Sequence, residues 1–223
     1  MNTPRVLFED NHLLVVEKPI NMPVQEDSSK DLDLLNWCKN YIKEKYNKPG
    51  NVFIGLVHRL DRPVGGVMVF ARTSKAASRL SEQIRENEMQ KTYLAVVAGE
   101  PKPAKGELFH KLEKDERKNI SRVSENGKES QLFYEVVATN KNQSLVKIRL
   151  ITGRSHQIRV QFSVTGHPLI GDVKYGGPRS NETQLALWAH QLTFQHPTQK
   201  EQMTFSALPP KVAPWNLFDL ESK

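Results

Sequence analysis

Three short segments of this chain combine residue types that do chemistry. The first is His58-Arg59-Leu60-Asp61-Arg62-Pro63-Val64-Gly65-Gly66, which sets one carboxylate between two arginines. Two guanidinium groups beside Asp61 favour its ionised form. A carboxylate held charged serves as a nucleophile or an electrostatic stabiliser. The same residues also suit a surface salt bridge closed by a glycine turn, because ion-pair networks perturb pKa values too. The second segment is Gln90-Lys91-Thr92-Tyr93-Leu94-Ala95-Val96-Val97-Ala98-Gly99. Tyr93 there can stack on a nucleobase or fill a core. The third is Thr152-Gly153-Arg154-Ser155-His156-Gln157-Ile158-Arg159. Arginines at a helix start, beside its exposed N–H groups, can hold phosphate. A solvated helix face with Ser155 as its cap accounts for the same residues.

Regular elements must present these segments. Val6 to Phe8 and Leu13 to Glu17 read as strands of a hairpin that Lys18-Pro19 ends. Asp31 to about Tyr46 reads as a helix whose apolar face is Leu32, Leu35, Trp37, Cys38, Tyr41 and Ile42. Val52 to Val57 and Val67 to Ala71 read as strands on either side of Asp61. Thr73 can cap a helix running to about Glu86. Thr92 to Ala98 is a strand, and residues 101–130 are polar and charge-mixed, as in a long hairpin or a mobile insertion. Gln131 to Ala138 and Leu145 to Ile151 form a strand pair, and Ser155 to Thr165 a short helix. Gly166-His167-Pro168-Leu169-Ile170-Gly171-Asp172 is a glycine-bounded turn expected to pack beside that helix. Leu187 to Phe194 and Met203 to Ser206 are late strands. Many strands and no regular βαβ alternation predict an α+β fold with a mostly antiparallel sheet.

Composition narrows the partners. The 223 residues are 38% hydrophobic and 26% charged, ordinary for a globular protein, and predict a single domain over 1–223. The net charge of +7 suits a polyanion, most simply nucleic acid. No stretch has the ~20 apolar residues of a membrane span, and no apolar leader opens the chain, so a cytoplasmic location is expected. The lone Cys38 forms no internal disulfide and fits a core position. No histidine or cysteine spacing suggests a metal, and no cofactor motif is present. A monomer without protein partners is the default.

Taken together and in order, these motifs resemble the RluA family of RNA pseudouridine synthases across nearly the whole chain. Phe8-Glu9-Asp10 with Leu14-Val15-Val16-Glu17-Lys18-Pro19 is similar to that family's first motif, and His58-Arg59-Leu60-Asp61-Arg62 to its catalytic motif. Gln90-Lys91-Thr92-Tyr93 matches the tyrosine motif. Gly153 to Arg159, then Gly166-His167-Pro168 and Gly171-Asp172, match the last. The resemblance implies an antiparallel, bifurcated sheet around a central catalytic cleft. It implies that Asp61 is the essential carboxylate, that Tyr93 stacks on the target uracil and that Arg159 pairs with Asp61. It implies that Arg59 helps displace the target nucleotide, and Arg62, Arg154 and Gln157 are assigned to substrate binding beside it. The family commonly has Thr-Ser-Gly where this chain has Val64-Gly65-Gly66. The chain starts almost at the first motif, so the S4 RNA-binding domain carried by some members is expected to be absent.

The implied reaction breaks the N1–C1′ bond of a uridine in rRNA or tRNA, turns the uracil and forms a C5–C1′ bond, with no redox change and no cofactor. The uridine must first leave its stack. Asp61 can attack C1′ or C6, or act through a glycal-like intermediate. His58 and His156 are assigned structural hydrogen bonds rather than proton transfer. An Asp-dependent nucleoside or glycoside hydrolase competes with this reading, but retaining glycosidases use two carboxylates. Asp172 is the only other acid near the arginine motifs, and it reads as a turn residue. A non-catalytic RNA-binding module competes as well, although binding alone has no use for a carboxylate beside phosphate-seeking arginines.

Overall fold

The computed structural model describes residues 3–178 and 184–220. The chain divides into two compact units, Met1–Met89 with Gln191–Ala207, and Gln90–His190 with Leu208–Lys223. In chain order the first unit holds β1 (Arg5–Glu9), β2 (Leu13–Lys18), α1 (Leu34–Lys45), β3 (Gly55–Leu56), β4 (Gly65–Ala71) and α2 (Ser74–Arg85). The second holds β5 (Gln90–Ala98), β6 (Lys105–Asp115), β7 (Ile120–Val123), β8 (Lys128–Asn140), β9 (Gln143–Leu150) and α3 (Gln157–Val164). β10 (Leu187–Gln195) starts in the second unit and ends in the first, which β11 (Gln202–Ser206) completes. The fold is α+β and mostly antiparallel, as the strand-rich sequence predicts.

In the first unit the strand order is β1-β2-β4-β10, with β3 on β4 and β11 on β10. The unbroken apolar runs Leu13–Val16 and Val67–Ala71 are fully buried, which a strand needs when both its faces are covered. Phe8, Phe194 and Phe205 pack their rings on one another, at centroid separations of 5.5 and 6.0 Å. Thr73 caps α2 as predicted, its side chain accepting the Ala76 N–H. α1 begins later than predicted because Asp33 accepts the Asn36 N–H and starts the helix at Leu34. Leu32 therefore stays outside it, 56% exposed, and Leu34, Cys38 and Ile42 are the residues buried. The strand predicted over Val52–Val57 shortens to Gly55–Leu56, because β10 also pairs with β4 and leaves β3 only its Phe70–Ala71 end.

The second unit runs β10-β5-β9-β8-β6-β7. Within residues 101–130, expected as a long hairpin or a mobile insertion, β6 and β7 form an antiparallel hairpin and β8 begins at Lys128. α3 packs on one face of this sheet, where Phe162 meets the Tyr134 ring edge-on at 5.6 Å. Among the described residues, no helix is long and apolar enough to cross a membrane.

Candidate active site

Asp61 lies in the first unit, on the turn between β3 and β4. Its carbonyl accepts the Val64 N–H at 3.0 Å, which closes the turn, and the residue is half-buried. At the far side of the turn Gly66 takes φ +120°, a conformation that side chains rarely adopt, directly opposite Lys18 in the β2–β4 register. This glycine keeps its place where the chain departs from the usual Thr-Ser-Gly.

Beneath the turn sits a fully buried lysine. Lys18 Nζ donates to the carbonyls of Pro19 at 2.9 Å, Met22 at 2.6 Å and Arg62 at 3.0 Å. It thereby ties the end of β2 to the residue after Asp61. Burial pushes its pKa down to about 7; the Asp61 charge opposes that shift and Arg62 reinforces it. The sequence places Lys18 at the end of a hairpin and inside the first motif, with no role assigned to it. Its place in the first motif was the available signal.

The two arginines beside Asp61 behave differently. Arg62 turns to the 27–31 loop, donating to Ser29 Oγ at 2.9 Å, to Asp27 at 3.4 Å and to Asp31. It is thus ion-paired with acids that the sequence reading did not connect to it. Arg59 is exposed and makes no hydrogen bond or ion pair among the described residues. His58 Nε2 accepts the Val69 N–H at 3.1 Å, the structural role expected of it.

Tyr93, Arg154, Gln157 and Arg159 lie in the second unit. Tyr93 is 8% exposed on β5, opposite Ile148, which is opposite Tyr134. Register partners point to one face, so Tyr93 shares the face that α3 covers. Arg159, 7% exposed on α3, meets Asp172 through two bonds of 2.8 Å, Nε to Oδ2 and Nη2 to Oδ1. Its guanidinium also lies 5.1 Å from the centre of the Tyr175 ring. Such a two-bond pair fixes direction as well as position. Asp172 is therefore more than the turn residue it was read as. The loop is shaped to carry it: Gly171 adopts φ +77°, and a Cβ there would lie 2.3 Å from the Gln184 carbonyl oxygen.

Polar bonds fix the surroundings of Arg159. Tyr175 Oη bonds His156 Nδ1 at 2.7 Å and accepts the Ser121 N–H at 2.8 Å. His156, at φ 53°, is the residue that precedes α3 in place of the predicted Ser155 cap, and its side chain makes no cap bond. Gln157, assigned to substrate, is 2% exposed and bonded inside the protein. Its Oε1 accepts from Thr152 Oγ1 at 2.8 Å and the Arg154 N–H at 3.0 Å, and its Nε2 donates to the Gln131 carbonyl at 3.1 Å. It holds the 152–154 turn in shape. Arg154 is exposed, with Nε donating to the Glu129 carbonyl at 3.1 Å.

Comparison with known proteins identifies the family. A family profile described as RNA pseudouridylate synthase matches residues 12–164, from β2 to the end of α3. The dual-specificity RNA pseudouridine synthase RluA of Escherichia coli (strain K12) is 37% identical over 210 residues, covering 91% of both chains. The ribosomal large subunit pseudouridine synthase C of Pasteurella multocida (strain Pm70) is 36% identical over 214 residues. That match covers 91% of this chain but only 64% of the relative's length. The structure of human RNA pseudouridylate synthase domain containing 4 has the same fold, with a TM-score of 0.78 at 24% identity over 93% of this chain and 89% of its own. The profile match takes in Asp61, Tyr93 and Arg159, and the identity with RluA runs nearly end to end, so this chain belongs to the RluA-type RNA pseudouridine synthases.

Proposed function

We propose that the protein isomerises uridine to pseudouridine in rRNA or tRNA, acting as a cytoplasmic monomer with residues 1–223 as one catalytic domain. The observation that carries this reading is the identity with the dual-specificity synthase over 91% of both chains. The isomerisation breaks N1–C1′, forms C5–C1′, releases the C5 proton and returns a proton to N1. Asp61 is the carboxylate that acts on the sugar or the base, held on a turn that Lys18 braces. Tyr93 stacks on the uracil so that the freed base does not escape. Arg159 presents a guanidinium aimed by Asp172, which supports a positioning role toward charge on the reacting groups. Arg59, free of protein partners among the described residues, meets the RNA as the uridine is extruded.

Tritium at uridine C5 tests the reaction. The protein alone should release label to water from unfractionated tRNA or rRNA, and Asp61→Asn should stop release while keeping RNA affinity. Folded protein that releases no label from either RNA would overturn the reading. Unchanged release by Asp61→Asn would remove Asp61 from the chemistry. A binding module would show affinity without label release.

A further inference from the structure

Lys91 takes no part in the chemistry proposed for Asp61, Tyr93 and Arg159. It stands two residues before Tyr93 on β5, so both side chains leave the same face of the strand, roughly 7 Å apart along it. The register sets Lys91 opposite Leu150, on the side that α3 covers. Burial is the one influence acting on its ammonium, and it lowers the pKa from the ordinary lysine value. Among the described residues Lys91 makes no hydrogen bond and no ion pair. Lys18, more deeply buried, has its carbonyl cage. A desolvated cation without a partner is unfavourable until an anion reaches it.

Lys91 Nζ lies beside an exposed glycine. A Cβ built on Gly153 would lie 3.8 Å from Lys91 Nζ and meet nothing else within 4 Å. Next to Gly153 stands exposed Arg154, on the turn that Gln157 holds rigid. Lys91 thus lies against the exposed Gly153 in space and Arg154 follows it in sequence, and the glycine puts no side chain in the way of an approaching anion. The step along β5 from Tyr93 to Lys91 is comparable to that from a nucleobase to the phosphates of its own nucleotide.

We infer that Lys91 and Arg154 form a phosphate clamp across Gly153 that grips the RNA backbone beside the base stacked on Tyr93. The inference rests on the proposed role of Tyr93. Lys91 is then a binding residue that sets where the nucleotide stops, and the oxygens it takes are those of a phosphodiester.

Affinity for a short oligouridylate, measured across a salt series, tests the clamp. Lys91→Met should weaken binding about 5–10-fold and lower the slope of log affinity against log salt by about 0.7, the single-strand value for one phosphate. Lys91→Arg should restore both. In tritium release from tRNA the loss should fall mainly on KM. An unchanged salt slope in Lys91→Met, with active wild type, overturns the clamp and leaves the proposed reaction standing. Wild type that binds RNA but releases no label overturns the reaction, while the slope still judges the lysine. If Lys91→Met does not fold, wild type supplies the answer through the NMR titration of the Lys91 ε-carbon, assigned with Lys91→Arg. Its midpoint should rise when oligouridylate binds, and a midpoint that does not move overturns the clamp.

Discussion

The turn carrying Asp61 and the helix carrying Arg159 are each anchored by a buried cation, and the two are held in opposite ways. Lys18 is surrounded by neutral main-chain carbonyls, so no counter-charge offsets its desolvation except Asp61 itself. Arg159 has a carboxylate of its own, with the Asp172 side chain fully buried beside it. A guanidinium keeps its proton throughout the useful pH range, whereas a lysine in a dry site releases it readily. One anchor is therefore fixed in charge and direction. The other holds backbone in place and responds to pH.

The largest effect should come from breaking the fixed anchor. Asp172→Ala removes the carboxylate that makes two bonds to the buried Arg159 guanidinium and should lower the unfolding free energy by about 3–5 kcal/mol in urea titrations. A change below about 1 kcal/mol would mean that water or a neighbour replaces Asp172 freely. Lys18→Met strands the carbonyls of Pro19, Met22 and Arg62 but leaves no bare charge, so a smaller loss of about 1–3 kcal/mol is expected.

The pH dependence sharpens the contrast. Lys18 in the folded protein titrates at about 7, below the unfolded lysine at roughly 10.4. Between those values the unfolded chain holds the extra proton, so stability rises with pH. Below about pH 7 both states are protonated and this gain is absent. The stability gap between wild type and Lys18→Met should therefore widen from about pH 7 to 10, whereas the gap to Asp172→Ala should stay level. Parallel curves for both pairs would show that the lysine keeps its charge.

The smallest effects belong to the exposed arginines. Arg59→Ala should weaken RNA binding several-fold and reduce its salt dependence. Arg62→Ala should do less, because Asp27 and Asp31 already occupy its guanidinium. Equal losses would show that Arg62 leaves those acids when RNA arrives.

The candidate site was legible where a residue's type and its neighbours in sequence carry the chemistry. Asp61 between arginines, Tyr93 at a strand start and Arg159 after a glycine turn stand out in that way, and the roles proposed for them come with the family resemblance. Partners joined by the fold were not legible. Lys18 meets Arg62 across 44 positions, and Arg62 meets Asp31 across 31. Neither span has a periodicity that betrays the contact. Gln157 misled because a polar residue at a helix start ordinarily faces solvent, whereas this one closes a turn against Gln131. Leu32 misled for a local reason, since Asp33 caps the helix one residue after it.

The two-part path of the first unit bears on how the protein is made. Met1–Met89 leaves the ribosome first, yet Gln191–Ala207, which completes that unit, follows only after Gln90–His190 has been translated. At about 5–20 residues per second that interval is about 5–20 s. Throughout it β4, apolar along its whole length, lacks β10 on one edge, and a bare apolar strand edge recruits other chains. The nascent N-terminal portion is thus the stage of synthesis at which a chaperone has most to shield.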